Sequence, residues 1–139
     1  MMLEAGLSGH QELVVTEREL ASFVGNLGVH VLSTHHVVLL MEKAARHAIE
    51  ACIPEGKITL GTRIDIRHLA AAPLGSKVRA EAVLKSVEGN RFTFHVAAYD
   101  EFEILAEGEN EQILVRSAQF ENKMRSKTAK QGLLQGVKS

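Results

Sequence analysis

The chain has 139 residues, 45% of them apolar, and its 16 lysines and arginines nearly cancel 17 aspartates and glutamates, leaving a net charge of −1. That length suits one globular domain able to bury about two-thirds of its unfolded surface. The charge balance offers neither a basic field for nucleic acid nor the acidic excess of a disordered chain. A single cysteine, Cys52, can form no internal disulfide and no thiolate zinc cluster. Met1 to Val15 carries Glu4 and His10 and has no long apolar run, so neither a signal peptide nor a membrane span is expected there, and a soluble cytoplasmic protein is.

Taken in chain order, Glu12 to Thr16 suggests an edge strand. The strongest helix begins after Ser33-Thr34, two hydroxyl residues able to accept from the free N–H groups of a first turn. Val37, Met41, Ala44, Ala45, Ala48 and Cys52 recur at steps of three and four, with Lys43, Arg46, His47 and Glu50 on the other side. At 100° per residue, Glu42 falls at the edge of the apolar arc beside Val38 and Ile49. After Pro54 and Gly56 the period becomes two: Ile58, Leu60, Ile64, Ile66 and His68 share one parity, and Lys57, Thr59, Arg63, Asp65 and Arg67 the other. Three more strands are expected, over Lys77 to Val87, Arg91 to Tyr99 and Glu103 to Arg116. Glu88-Gly89-Asn90 is a hairpin turn between the first two. The stretch from Glu121 to Ser139 is basic, through Lys123, Arg125, Lys127, Lys130 and Lys138, and reads as a short helical or frayed tail. The pattern is α+β: one domain over residues 1–139, with a mainly antiparallel sheet packed on one long helix and a basic tail from about residue 121.

Three residues stand out chemically. His68 shares its predicted face with four isoleucines and leucines, where an imidazole belongs only with a partner; a core histidine bonded to a backbone carbonyl fits that pattern too. Glu42 is half drawn into the interior, or else pairs with Arg46 one turn on. Thr34 is an N-cap candidate, and it sits beside helix N–H groups able to stabilise an oxyanion. A hydroxyl, a carboxylate and an imidazole are the parts needed to attack an acyl group and move its proton.

Around these residues stand Leu39-Leu40-Met41-Glu42, Leu60-Gly61-Thr62, Arg67-His68-Leu69-Ala70-Ala71-Ala72-Pro73 and Ser86-Val87-Glu88-Gly89. In that order, with Thr34 eight residues before Glu42, they resemble the hotdog-fold fluoroacetyl-CoA thioesterases from about Thr16 to Lys127. The resemblance implies a hotdog fold, a curled antiparallel sheet wrapped around one long central helix. It also implies a homodimer, or a pair of such dimers, with acyl-CoA sites near the subunit interface, and thioester hydrolysis without metal or other cofactor, coenzyme A entering as part of the substrate. By the match Thr34, Glu42 and His68 are catalytic, and the Gly61 backbone lies against the thioester. Gln112 stands where the family's fluoroacetyl-specific enzyme has a substrate-contacting arginine. Val24-Gly25-Asn26-Leu27-Gly28 replaces a lid containing phenylalanines.

Other features suggest less. His30, His35 and His36 lack the spacing of a metal site and read as solvated or capping residues. Gly56, Gly61, Gly75 and Gly89 form no phosphate loop, and Phe92 and Phe94 are core residues rather than a base-stacking surface. The basic tail is a solvated end or a contact for coenzyme A phosphates. The expected function is hydrolysis of a short or medium acyl-CoA. The alternative is a non-catalytic hotdog module that binds an acyl-CoA or another apolar ligand, with no nucleic acid and no membrane as partner in either case. A hydratase would need a differently placed acid and base.

Overall fold

Two hydroxyl residues in succession start the central helix, and only one of them caps it. In the computed structural model, which describes residues 3–138, Ser33 is the N-cap of α1 (Thr34–Ile49) and its side chain accepts from the His36 N–H at 3.3 Å. Thr34 is the first helical residue, which leaves its hydroxyl free for another partner. Val37, Leu40, Met41, Ala44, Ala45, Ala48 and Ile49 form the buried stripe. Five strands curl around it: β1 (Ser8–Val14), β2 (Lys57–His68), β3 (Lys77–Glu88), β4 (Arg91–Tyr99) and β5 (Ile104–Arg116), in the order β1-β3-β4-β5-β2 with every pairing antiparallel. Val78, Ala80, Ala82 and Leu84 of β3 and Phe92, Phe94, Val96 and Ala98 of β4 close on α1 and make the core. At Gly9 a Cβ would collide with the α1 backbone at Ala44 and Ala48, so glycine lets β1 lie directly on the helix.

The first strand runs earlier than the expected Glu12 to Thr16. The C-terminal stretch, expected as a short helical or frayed tail, is a long second α-helix, α2 (Ser117–Lys138). Lys123, Arg125, Lys127 and Lys130 are exposed along it; the side chain of Lys138, and Ser139, lie outside the described residues.

The larger correction concerns β2. Gly61 pairs with Gln112 and Arg63 with Glu111, so two residues of β2 face one of β5 and Thr62 is the extra residue of a bulge. Its hydroxyl donates to the Glu111 carbonyl at 3.2 Å and the Glu111 carboxylate at 3.1 Å. The bulge reverses parity along the strand. Ile64, Ile66 and His68 face α1 as expected, but Ile58 and Leu60 pair with Val115 and Ile113 on the outer face, and Thr59 and Gly61 turn inward instead.

Backbone pairs anchor the segment that delivers Thr34. Leu32 N–H donates to Ala72 O and Ser33 N–H to Glu19 O, both at 2.8 Å. Glu19 itself accepts from the N–H and the hydroxyl of Thr16, each at 2.8 Å. The backbone N–H of Thr16 is the main cause that holds the Glu19 carboxyl below its ordinary range. The linked stability is therefore complete above the ordinary carboxylate value of 4.5 and is lost as pH falls through the lower, folded-state value. Glu19→Gln should destabilise the fold at neutral pH by only about 0.5 kcal/mol, since solvent screens a half-exposed carboxylate. In urea titrations that difference from the parent should vanish in acid.

Candidate active site

The site has two corners. In the first, Thr34 Oγ1 and His68 Nδ1 share a hydrogen bond of 2.9 Å, bringing together two of the three residues singled out in the sequence. Two constraints place them there. Ser33 takes over the capping, so the Thr34 hydroxyl is free. His68 ends β2 on the inner face, and beyond it Leu69 and Ala70 N–H both donate to Leu105 O, at 2.6 and 3.2 Å. His68 Nε2 is buried and has no hydrogen-bond partner. The pair opens on a cleft of about 390 Å³ whose walls include Ala21, Asn26, Val29, Leu32, Leu69 and Ala70. The N–H groups of Thr34 and His35 end the helix there, with no carbonyl one turn earlier inside it to accept from them.

The second corner holds Glu42 and Gly61. Glu42 is half-buried, and a Cβ at position 61 would come within 2.6 Å of its Oε2, so the carboxylate lies over a strand position that only glycine leaves open. Glu42 does not meet Thr34: eight residues of α1 set them about 12 Å apart along the axis, more than the two side chains span.

Gln112, across the register from Gly61, is 1% exposed. Its Nε2 donates to Asn110 Oδ1 at 2.9 Å, and Asn110 Nδ2 donates to the Arg63 carbonyl at 3.0 Å. Asn110 was not singled out in the sequence, although two amides at alternate positions on an otherwise apolar strand face are a readable signal. On the outer face behind this corner, Lys85 bonds Glu109 at 2.7 Å and is the chief cause that keeps the Glu109 carboxyl low; Arg63 approaches the same carboxylate at 3.6 Å.

The histidines before α1 have local partners. His36 Nδ1 lies 2.6 Å from Ser33 Oγ, and His30 Nδ1 lies 2.9 Å from Ser22 Oγ. Among the described residues no group of three or more His, Cys, Asp or Glu side chains is placed to hold a metal ion, and no helix is long and apolar enough to cross a membrane. The Val24–Gly28 segment turns through Gly25 and Gly28 at positive φ. Leu27 in it and Phe23 just before it are largely exposed.

A curled antiparallel sheet wrapped around one long helix is the architecture of the hotdog-fold thioesterases. The profile of the fluoroacetyl-CoA-specific thioesterases (FlK) matches residues 15–118, and the chain belongs to that family of thioester hydrolases. The fluoroacetyl-CoA thioesterase of Streptantibioticus cattleyicolor is 37% identical over 98 residues, 70% of each chain. A threonine-to-serine variant of FlK, solved in complex with acetyl-CoA, superposes with a TM-score of 0.85 at 29% identity, over 91% of this chain and 99% of that one. A thioesterase superfamily member from Thermus thermophilus gives 0.88 at 32% identity, over 94% and 96%.

The contact between Glu42 and position 61 makes a direct prediction. Gly61→Ala should displace the flexible carboxylate tip with little loss of stability. Because a misplacement of about 1 Å can cost on the order of 100-fold in rate, kcat for acyl-CoA hydrolysis should fall by roughly 10- to 100-fold while the melting temperature barely moves.

Proposed function

We propose that the chain hydrolyses short or medium acyl-CoA thioesters with Thr34, His68 and Glu42 as its catalytic residues. The observation that carries this reading is the Thr34–His68 hydrogen bond at the N-terminus of α1. There the imidazole can take the proton of an attacking oxygen, and the helix N–H groups can stabilise the oxyanion. A carbon–oxygen bond forms at the acyl carbon, the carbon–sulfur bond breaks, and the abstracted proton goes to the departing thiolate of coenzyme A. The attacking oxygen is that of water, or of Thr34 with water then releasing the acyl group; Glu42 is the second proton-transfer group. Gly61 offers its backbone to the thioester, and Gln112 lines the wall beside it.

The distance between the two corners supports a homodimer whose sites form between subunits. β2 is an edge strand, and Ile64 on it is 37% exposed. An unpaired edge of this kind is a template for a second copy. Antiparallel pairing of β2 with itself, about a twofold between Ile64 and Asp65, would set Gly61 of each chain across from His68 of the other. Glu42 of one subunit would then approach the Thr34–His68 pair of its neighbour. A cytoplasmic setting is part of the same reading, since the single cysteine calls for no oxidising compartment.

The test uses two crippled variants. Thr34→Ala and Glu42→Gln should each lose about 10²–10⁴-fold in turnover, as His68→Ala should. Unfolded together and refolded, the first two should recover about a quarter of the parental activity, because half the dimers are mixed and each mixed dimer holds one intact site. No recovery would place the whole site within one chain.

Selectivity follows from the loop. Phenylalanines are lacking over Val24–Gly28, and hydrophobic pockets discriminate by only about 1–3 kcal/mol per methylene. The kcat/KM values for fluoroacetyl-CoA and acetyl-CoA should therefore differ by far less than the roughly thousandfold that about 4 kcal/mol of transition-state discrimination would give. Somewhat longer acyl chains should be turned over as well.

A further inference from the structure

Gly61 has little of its own to hold it. It has no side chain to pack, its backbone is the most permissive of any residue, and it lies on an edge strand, so within the chain only β5 can hold it from the side. From the inner face little presses on it: apart from its chain neighbours, only atoms of the Glu42 carboxyl come within 4 Å of where its Cβ would stand. Yet the place of that backbone decides what lies beneath Glu42.

The restraint comes from the residues that follow it. Three consecutive side chains of β5 reach across to residues 62 and 63: the Glu111 carboxylate accepts from the Thr62 hydroxyl at 3.1 Å, Asn110 Nδ2 donates to the Arg63 carbonyl at 3.0 Å, and Glu109 takes the Arg63 guanidinium at 3.6 Å. Only the first acts on the extra residue itself. The Thr62 hydroxyl is shared with the Glu111 carbonyl at 3.2 Å, and since both partners can only accept, its part as donor is fixed. The Glu111 carboxylate is held in turn by Arg91 Nε of β4 at 3.3 Å, and with its side chain 19% exposed it is screened less than an open surface pair. Arg91, Glu111 and Thr62 form a chain of bonds over three adjacent strands, ending at the bulge.

We propose that Thr62 is a positioning residue for the active site: its hydroxyl, anchored on Glu111, fixes the bulge and so keeps the Gly61 backbone in place under Glu42. Thr62 acts through its neighbour in the chain, from the face of the sheet opposite the Glu42 carboxylate. The proposal rests on the reading of Glu42 and the Gly61 backbone as parts of the site, and it goes beyond that reading by giving a bond on the outer face a part in the reaction.

The test separates the hydroxyl from the shape of the residue. Valine keeps threonine's branched outline without the O–H, and serine keeps the O–H without the methyl. In the full chain, kcat and KM for acetyl-CoA are measured for the parent, Thr62→Val, Thr62→Ser, Glu42→Gln and the double variant Glu42→Gln, Thr62→Val, and amide hydrogen exchange is followed over residues 61–63. Thr62→Val should lose about tenfold in kcat, less than the roughly 100-fold that a full 1 Å misplacement can cost, because Asn110 and Glu109 still hold Arg63. Its KM should stay within about twofold of the parent. Exchange over residues 61–63 should quicken while the rest of β2 keeps its rates, and Thr62→Ser should restore both readouts. Added to Glu42→Gln, the valine should cost little more, since both changes act at one corner. Parental kcat in Thr62→Val, a loss that Thr62→Ser shares, or a full tenfold loss on top of Glu42→Gln would each overturn the proposal. A Glu42→Gln variant as active as the parent would remove the catalytic reading of Glu42 instead. Quickened exchange in Thr62→Val would then keep the hold of Thr62 on the strand, and unchanged exchange would remove that too.

Discussion

One unpaired residue, Thr62, decides what both ends of β2 can do. Residues 61 and 68 have opposite parity, and on a regular strand they would face opposite sides of the sheet. With Thr62 bulged out of the ladder, Gly61 and His68 both face α1, so one strand supplies an opening beneath Glu42 and an imidazole beneath Thr34. Without the bulge a register could satisfy one corner and not the other. The irregularity is held from both strands: the Thr62 hydroxyl bonds Glu111, and Asn110 bonds the Arg63 carbonyl. It is a fixed feature rather than slack in the edge.

A similar division of labour operates at the helix start. A helix N-terminus leaves donors to satisfy, and a hydroxyl used for that purpose is no longer available to an imidazole. With Ser33 buried as the cap and Thr34 exposed as the first helical residue, the two needs fall on different side chains. Placement depends on the segment before the helix, where Leu32 and Ser33 are tied to Ala72 and Glu19, residues distant in sequence. The geometry of the Thr34–His68 pair is therefore set by tertiary contacts, and local helix propensity contributes only the starting point.

These features explain what was legible beforehand. The buried stripe of α1 and the inward faces of β3 and β4 could be read from period alone, because each buries one continuous face against its neighbour. The half-buried place of Glu42 followed from the same projection. Thr62 leaves only a weak sign in the pattern, one polar residue among apolar ones of the same parity. Ile58, Leu60, Ile64, Ile66 and His68 keep one parity on both sides of Thr62, because the outer face before the bulge is also partly apolar, and one threonine within such a series reads as an ordinary strand residue. Only pairing with β5 shows that Ile58 and Leu60 belong to the other face. The long α2 was read as a short helix or a frayed end for a different reason: most of its surface is solvated, so no strong apolar stripe marks it. Asn110 and Gln112 share a face with Ala106, Gly108 and Leu114, a signal that becomes readable once the two faces of β5 are separated from the acidic residues between them.

Buried polar atoms without partners cost about 1–3 kcal/mol each, so folded chains keep few of them. Among the described residues the buried side-chain atoms in this state are His68 Nε2 and Gln112 Oε1. They lie at the two corners, one on the imidazole bonded to Thr34 and one on the amide beside Gly61 and Glu42. The rest of the inner sheet face could carry apolar side chains at these positions and gain stability, as β3 and β4 do with Val78, Leu84, Phe92 and Phe94. Polar side chains stand at these two corners instead, each with one buried atom left without a partner among the described residues. The orphaned atoms thus point to the same two corners as the Thr34–His68 bond and the Glu42–Gly61 contact, on grounds independent of resemblance to any relative.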